Sequence, residues 1–262
     1  MLNYKIYHAG QPRDWVVFVH GAGGSSAIWF KQVRYFRKYF NLLLLDLRGH
    51  GQSPDGSFLG KNKEYTFRSV AEDIIEVLDH ESINKAHFVG VSLGTIVIRQ
   101  LAEIACERIH TMVLVGAITG FNMKSRFWVA MGRIFRHILP HMWLYRLFAR
   151  VIMPDSRQKE SRLIFVNEAK KLARKEFLRW FTLTGELTGI FKRYESVDLG
   201  IPSLYVMGDG DYLFLEPVRK ITQKAHNQIL EVIEHCGHVV NIEKPDIFNE
   251  RAIAFLTAYS NR

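Results

Sequence analysis

A serine between two glycines is the feature of the sequence that most clearly predicts chemistry. Residues 90–94 read Gly-Val-Ser-Leu-Gly, after an apolar run typical of a strand and before a stretch with helical periodicity. A strand-to-helix turn this sharp strains the backbone of Ser92, and side chains larger than glycine two residues away would collide. The turn lifts the Ser92 hydroxyl clear of the sheet and places the Leu93 N–H at a helix start, where it can hold an oxyanion. The segment predicts a nucleophilic serine, and an ordinary structural turn is the alternative.

A serine nucleophile needs a base, and the base needs an acceptor that orients it. Of the 11 histidines, His238 follows the last predicted strand, so it should lie at the same edge of the sheet as Ser92. His235, three residues earlier, is the competitor. The acceptor is expected in a glycine-rich turn after another strand, where either Asp209 or Asp211 could receive the imidazole N–H. The other aspartate of the pair should serve only its own turn.

Short apolar runs alternate with amphipathic stretches along most of the chain. Runs that are apolar throughout indicate strands covered on both faces, as in a parallel sheet. The alternation of strands and helices predicts an α/β fold with a mostly parallel, doubly wound sheet. The predicted strands cover residues 15–19, 41–45, 87–91, 111–115, 204–207 and 229–233, and the predicted helices cover 69–80, 95–104 and 245–259.

The pattern changes between residues 121 and 198, where aromatic residues, Met and Leu recur at helical spacing among arginines. Residues 121–200 hold 16 Lys and Arg against 7 Asp and Glu, so the whole formal net charge of +9 lies there. We therefore predict two parts: a core of residues 1–120 and 199–262, and a helical cap, residues 121–198, inserted between two strands.

The aromatic residues of the insertion allow two interpretations. In the first, Trp128, Phe135 and Trp143 form the roof of the substrate pocket and contact the substrate, while the arginines form a solvated outer face. In the second, which the sequence favours less, the basic insertion contacts an anionic surface, either a membrane or an acidic substrate.

Five motifs, in chain order, resemble those of the α/β-hydrolase superfamily, and the resemblance covers nearly the whole chain. They occupy residues 20–25 (the first oxyanion loop), 46–53 (D-x-R-G-x-G-x-S), 90–94 (the nucleophile elbow), 208–211 with Pro217 (G-x-x-D) and 237–245 (G-H-x-x-x-x-E-x-P). The elbow departs from many relatives only in Thr95, where they carry another glycine. A serine nucleophile, in place of aspartate, argues against haloalkane dehalogenase and epoxide hydrolase chemistry.

The resemblance implies a role for each matched residue. Ser92, Asp211 and His238 would form a triad in the family's chain order, which selects Asp211 over Asp209. The N–H groups of Ala22 and Leu93 would form the oxyanion hole. Arg48 and His50 fall in a segment that is structural in the family.

The implied activity is cleavage of a carboxylic ester with a small or medium acyl group, through an acyl-enzyme and without a metal or organic cofactor. Thioesters, lactones and C–C bonds are alternative substrates on the same fold, and a ligand sensor with slow or no turnover is an alternative of another class. The expected partner is a small acyl substrate and not a nucleic acid, since no recognised nucleic-acid motif accompanies the charge.

The chain is also expected to be a cytoplasmic protein. No apolar run reaches the ~18–20 residues of a spanning helix, and the N-terminal residues lack the pattern of a secretory signal. Two cysteines, Cys106 and Cys236, cannot build a disulfide framework.

Overall fold

A seven-stranded sheet forms the centre of the computed structural model, which describes residues 1–10, 13–55 and 64–260. The strand order is β1-β3-β2-β4-β5-β6-β7. The strands are β1 (Asn3–Tyr7), β2 (Trp15–Val19), β3 (Asn41–Asp46), β4 (Ala86–Val91), β5 (Ile109–Val115), β6 (Ser203–Gly208) and β7 (Gln228–Ile233). All neighbouring pairs are parallel except β1 and β3. The predicted α/β class and mostly parallel sheet are confirmed.

The N-terminal strand β1 is an element that the sequence analysis does not predict. Its five residues are half-buried or exposed, whereas β3, beside it, is buried throughout. An edge strand needs one hydrogen-bonded partner and little apolar surface, so the continuous apolar run that marks the inner strands is missing.

Helices cover both faces of the sheet. They are α1 (Phe30–Phe36), α2 (Phe67–His80), α3 (Leu93–Ile104), α4 (Met123–Phe135), α5 (His141–Ile152), α6 (Lys159–Ala169), α7 (Arg174–Thr182), α8 (Leu187–Ser196), α9 (Leu215–Thr222), α10 (Val240–Glu243) and α11 (Pro245–Tyr259). One face packs against α2, α3 and α9, and the other packs against α1 and α11. Within the described ranges, no helix has the length and apolarity needed to cross a membrane.

Local signals in the sequence explain where two of these helices begin. The Thr66 side chain accepts from the Ser69 N–H while the Ser69 side chain accepts from the Thr66 N–H, which satisfies two free donors at the start of α2. Pro245 occupies the first turn of α11, where its missing N–H costs no helical hydrogen bond. The short helices α1 and α9 are not predicted by the sequence analysis.

The segment between β5 and β6 forms helices α4 to α8, within the limits predicted for the insertion. Part of it has an apolar cluster of its own, formed by Leu144, Tyr145, Ala169, Leu172, Phe177 and Phe181. Other side chains of the insertion, including Trp180 and Leu187, pack against the main core. The insertion is therefore tied to the sheet as well as to itself, and its status as a separate cap domain stays a prediction.

Candidate active site

Four loops meet at the carboxyl-terminal edge of the sheet and carry the predicted site residues. Ala22 follows β2, Ser92 follows β4, Asp211 follows β6 and His238 follows β7. Because these strands are parallel, their carboxyl ends lie at one edge, which is where α/β proteins place ligands. The topology thus brings together residues up to 216 positions apart in the chain.

Ser92, His238 and Asp211 form one hydrogen-bonded chain. His238 Nε2 lies 2.9 Å from Ser92 Oγ, and His238 Nδ1 lies 2.7 Å from Asp211 Oδ2. Asp211 and His238 are buried. When Nδ1–H donates to the carboxylate, Nε2 is left as an acceptor for the serine proton. The geometry is that of a nucleophile, its base and the group that orients the base.

Ser92 has the strained backbone that a nucleophile elbow requires. Its φ of 53° and ψ of −119° are unusual for a residue with a side chain. Three hydrogen bonds hold it there: its N–H donates to the Val115 carbonyl (2.9 Å), and its carbonyl accepts from both Thr95 Oγ1 (2.6 Å) and the Thr95 N–H (2.9 Å). Thr95, which departs from the family pattern, therefore supports the elbow.

The two glycines of the elbow are needed because other parts of the chain approach them closely. A Cβ at Gly94 would overlap the Val19 carbonyl oxygen at the end of β2. A Cβ at Gly90 would lie 3.1 Å from the backbone of Gly94. Steric contact, and not a positive φ, therefore accounts for both glycines.

The two competing residues, Asp209 and His235, belong to a contact between the loop after β6 and the loop after β7. Asp209 accepts from the N–H groups of His235 and Cys236, each at 3.0 Å. Burial raises the pKa of Asp209, but these N–H donors outweigh that effect and the pKa lies below its ordinary value. His235 is exposed and has a φ of 52°. Neither residue takes part in the Ser92–His238–Asp211 chain.

The loop that carries His238 is fixed from two sides. Glu243 accepts from the Gly237 N–H (2.8 Å) and from the Val239 N–H (3.3 Å), so a carboxylate clamps the residues on either side of His238. Gly116 faces the histidine itself: a Cβ there would lie 3.1 Å from the imidazole and would overlap the His238 carbonyl oxygen. The sequence analysis missed Gly116, because its role depends on this close approach and on a φ of 50°, and neither can be read from the sequence.

Ala22 and Leu93 lie beside Ser92 and line the same cavity. Among the residues that the structure describes, neither backbone N–H has a hydrogen-bond acceptor. Leu93 is also the first residue of α3, where the helix dipole favours negative charge. Two free N–H groups next to a serine hydroxyl suit an oxyanion.

Two buried histidines hold the loop that carries Ala22. His50 Nε2 accepts from the Gly23 N–H at 3.0 Å, and His20 Nε2 accepts from the Leu47 N–H at 2.9 Å. Burial lowers the pKa of His50 to about 3 and also lowers the pKa of His20. Both imidazoles are therefore neutral near pH 7, which leaves Nε2 free to accept. This supports a structural role for His50.

Arg48 also has a structural role, at the contact between the core and the insertion. Its Nε donates to Asp73 Oδ2 at 2.6 Å, and neither side chain is exposed to solvent. Its carbonyl oxygen accepts from Trp180 Nε1 of α7 at 3.1 Å and from the Tyr65 hydroxyl at 3.3 Å. The segment at residues 46–53 thus connects the sheet to the insertion.

A cavity of about 230 Å³ opens beside Ser92. Core loops and insertion helices both contribute to its lining, which is mainly aromatic and aliphatic. The polar side chains that line it belong to Ser92, Tyr145, Ser161, Thr184 and His238, and none of its described lining residues is charged. In the same described ranges, no group of three or more His, Cys, Asp or Glu side chains could hold a metal ion.

Residues 16–251 match the Alpha/beta hydrolase family. The chain belongs to this family. It is 25% identical, over 97% of its length and 87% of the relative's, to a Haemophilus influenzae protein provisionally named an esterase/lipase. It is 24% identical to 3-oxoadipate enol-lactonase 2 of Acinetobacter baylyi, over 99% and 94% of the two chains.

A solved hydrolase from Oleispira antarctica has the same fold, with a TM-score of 0.83, 17% identity and coverage of 98% and 94% of the two chains. The Haemophilus and Acinetobacter relatives, which match nearly the whole chain, are both named as hydrolytic enzymes. Together with the family match, this identifies the chain as a hydrolase.

The structure does not place Trp128, Phe135 and Trp143 in the lining of the Ser92 cavity, in contrast to the prediction. Trp143 is 64% exposed. Trp128 and Phe135 line a separate apolar cavity of about 190 Å³ between α4 and α5. The residues of α4 and α5 that do line the Ser92 cavity are Val129, Tyr145, Phe148 and Ile152. Helical spacing shows which residues share a face, but it does not show which face is turned toward Ser92.

Proposed function

We propose that this alpha/beta hydrolase is a serine esterase that cleaves uncharged carboxylic esters through an acyl-enzyme. Ser92 is the nucleophile, His238 the base, and Asp211 the acceptor that orients the imidazole. The observation that carries the proposal is the hydrogen-bonded chain from Ser92 Oγ through His238 to Asp211, which opens into an apolar cavity.

The reaction takes place in two halves. His238 Nε2 takes the Ser92 proton as Oγ attacks the ester carbonyl carbon, and the Ala22 and Leu93 N–H groups stabilise the oxyanion. The tetrahedral intermediate collapses, and His238 gives its proton to the departing alcohol. Water then attacks the acyl-enzyme with His238 as base, the carboxylic acid leaves, and the proton returns to Ser92. Asp211 stabilises the imidazolium in both halves.

The lining of the cavity favours uncharged acyl groups. An anionic substrate group would lose its hydration there without gaining a cationic side chain, and burying an unpaired charge is costly. The Acinetobacter relative is named for 3-oxoadipate, a molecule with carboxylate groups. We therefore favour an apolar ester over a carboxylate-bearing lactone.

The insertion would act as a cap over this cavity, because Tyr145, Phe148 and Trp180 from its helices line it together with Ser92. We also propose that the enzyme works in the cytoplasm, since Cys106 and Cys236 are both free thiols.

A fluorophosphonate probe and a series of p-nitrophenyl esters test the proposal. The wild-type chain should be labelled once and should hydrolyse acetyl to octanoyl esters, while Ser92→Ala should lose both labelling and turnover. Thr95→Ser, which keeps the hydroxyl that supports Ser92, is the matched control and should retain both. A Ser92→Ala variant with a tenth of the wild-type rate would contradict the proposal. A single slow turnover with a ligand-induced rise in melting temperature would instead favour the sensor.

A further inference from the structure

The outer faces of α4 and α5 carry large apolar side chains in contact with solvent. The exposed fractions are 82% for Met123, 59% for Ile134 and 56% for Phe127 on α4 and 64% for Trp143 on α5, and Ile138, in the turn between the two helices, is 70% exposed. An outer face that only separates a pocket from water would be expected to be polar. Contiguous apolar surface on a folded protein instead marks a contact site.

The exposed side chains form a narrow stripe on each helix. Met123, Phe127 and Ile134 recur at a spacing that places them on one face of α4, and buried Ser125 and Gly132 lie on the opposite face. On α5 the exposed positions are Trp143, Arg146, Leu147 and Arg150, again one face. We call these two faces together the outer stripe.

Basic side chains border and interrupt the outer stripe, and the part of the chain that forms it has no acidic residue. Residues 121–154 contain no Asp or Glu. At 3.6 residues per turn, Lys124 lies to one side of the apolar positions of α4, and Arg126 and Arg133 lie to the other. The six basic residues of this segment are Lys124, Arg126, Arg133, Arg136, Arg146 and Arg150.

We propose that the outer stripe binds the surface of a membrane that contains anionic lipids. Helices that lie in the interface of a bilayer combine these features: large apolar side chains, including Trp and Phe, with flanking Lys and Arg. A second copy of the chain fits poorly, because a symmetric contact would bring two uncompensated clusters of cations together. The lipid phosphates supply the missing negative charge, and the acyl region receives the apolar side chains.

Two consecutive residues of α5 connect the outer stripe to the Ser92 cavity. Leu147 belongs both to the outer stripe and to the lining of the cavity between α4 and α5. Phe148, the next residue, lines that cavity and the Ser92 cavity. One aromatic side chain therefore lies between the two apolar spaces, so membrane contact would bring lipid close to the site. The docking itself does not depend on the proposed esterase activity.

Co-sedimentation with vesicles tests the proposal and does not require an activity assay. The wild-type chain should sediment with vesicles of phosphatidylcholine and phosphatidylglycerol at low salt, more weakly at high salt, and less with phosphatidylcholine alone. Arg146→Gln with Arg150→Gln should lower the partition coefficient about 30-fold, which corresponds to ~1 kcal/mol for each cation. Phe127→Gln with Ile134→Gln should lower it at every salt concentration.

Matched pairs elsewhere on the surface control for charge and apolarity. Arg37→Gln with Lys38→Gln removes the same charge just before β3, at the sheet edge away from the insertion, and Ile229→Gln with Ile247→Gln removes exposed apolar side chains outside the outer stripe. Both control pairs should bind the vesicles nearly as the wild-type chain does. Circular dichroism should show native helix content in all four variants.

Three results would overturn membrane docking. The first is an absence of sedimentation with anionic vesicles at low salt, and the second is an equal loss of binding in the stripe and control variants. The third is a dimer in analytical ultracentrifugation that Phe127→Gln with Ile134→Gln converts to a monomer, since the occupant would then be a second copy of the chain.

Discussion

The loops around Ser92 and the helical insertion above them are held in place in different ways. Around Ser92, polar hydrogen bonds and close backbone contacts fix individual atoms, as at Thr95 and Glu243. In the insertion, apolar side chains fill space between helices, and cavities of about 230 and 190 Å³ remain on either side of Phe148. The first region tolerates little change in position, while the second can vary in shape.

This difference separates reactivity from substrate choice. Proton transfer between Ser92, His238 and Asp211 requires distances correct to a fraction of an ångström. The acyl group, by contrast, is selected by the volume and polarity of the surrounding side chains. Substitutions in the two regions should therefore change different measured quantities.

The largest effect is expected from Asp211→Asn. The amide would leave His238 without a countercharge and in the wrong tautomer, and a comparable change in a well-studied triad lowers kcat about 10⁴-fold. Asp209→Asn should lower kcat less than about tenfold, because its carboxylate accepts only from the backbone of its own turn. Steady-state hydrolysis of one ester compares the two. The reverse ranking would move the catalytic acid to residue 209.

Asp73→Asn should have the next largest effect, on the free energy of unfolding. It would leave the Arg48 guanidinium buried without its charge partner, which costs about 3–5 kcal/mol. Glu72→Gln, one residue earlier, removes a solvent-exposed pair with Arg68 and should cost at most about 0.5 kcal/mol. Urea denaturation of both variants provides the comparison. Equal losses would mean that burial does not decide the strength of these pairs.

Phe148→Ala should change substrate choice without changing reactivity. Removing the ring joins the two cavities, and each further buried methylene is worth ~0.8 kcal/mol. We compare kcat/KM for an ester two carbons longer than the wild-type optimum with kcat/KM for the optimum itself, and this ratio should rise about 15-fold in the variant. Trp143→Ala, in the outer stripe, should leave this ratio unchanged. Fluorophosphonate labelling should proceed as in wild type, and an unchanged chain-length profile for Phe148→Ala would show that the two cavities do not communicate.

The smallest effect is a change in the pH dependence of stability. His50 has a folded-state pKa of about 3, and His87 one of about 4, because burial disfavours the charged imidazole. Unfolded histidines bind protons near pH 6.5, so the unfolded chain holds more protons between pH 6.5 and these values, and stability falls as pH falls. His50→Gln should reduce this slope by at most about 1.4 kcal/mol per pH unit. Urea midpoints at pH 7, 6 and 5 test it, and parallel curves would contradict it.

The sequence was informative where one residue type alone satisfies a local requirement. Apolar runs marked the five inner strands and the edge strand β7, and the glycines at positions 90 and 94 marked a turn that the chain approaches too closely for a side chain. The edge strand β1 has no such requirement and was missed. The choice between Asp209 and Asp211 came from a motif, and the hydrogen bonds around each aspartate now give it a physical reason.

By itself, the sequence determined the class of fold, the order of the motifs and the segment that carries the excess charge. Those properties depend on residue type and on neighbours a few positions away. Only the tertiary structure decided which face of each insertion helix turns toward Ser92, because that choice depends on contacts between residues far apart in the chain. It placed Val129 and Phe148 inside and Trp143 outside, since a helix with apolar residues on several sides can bury more than one face.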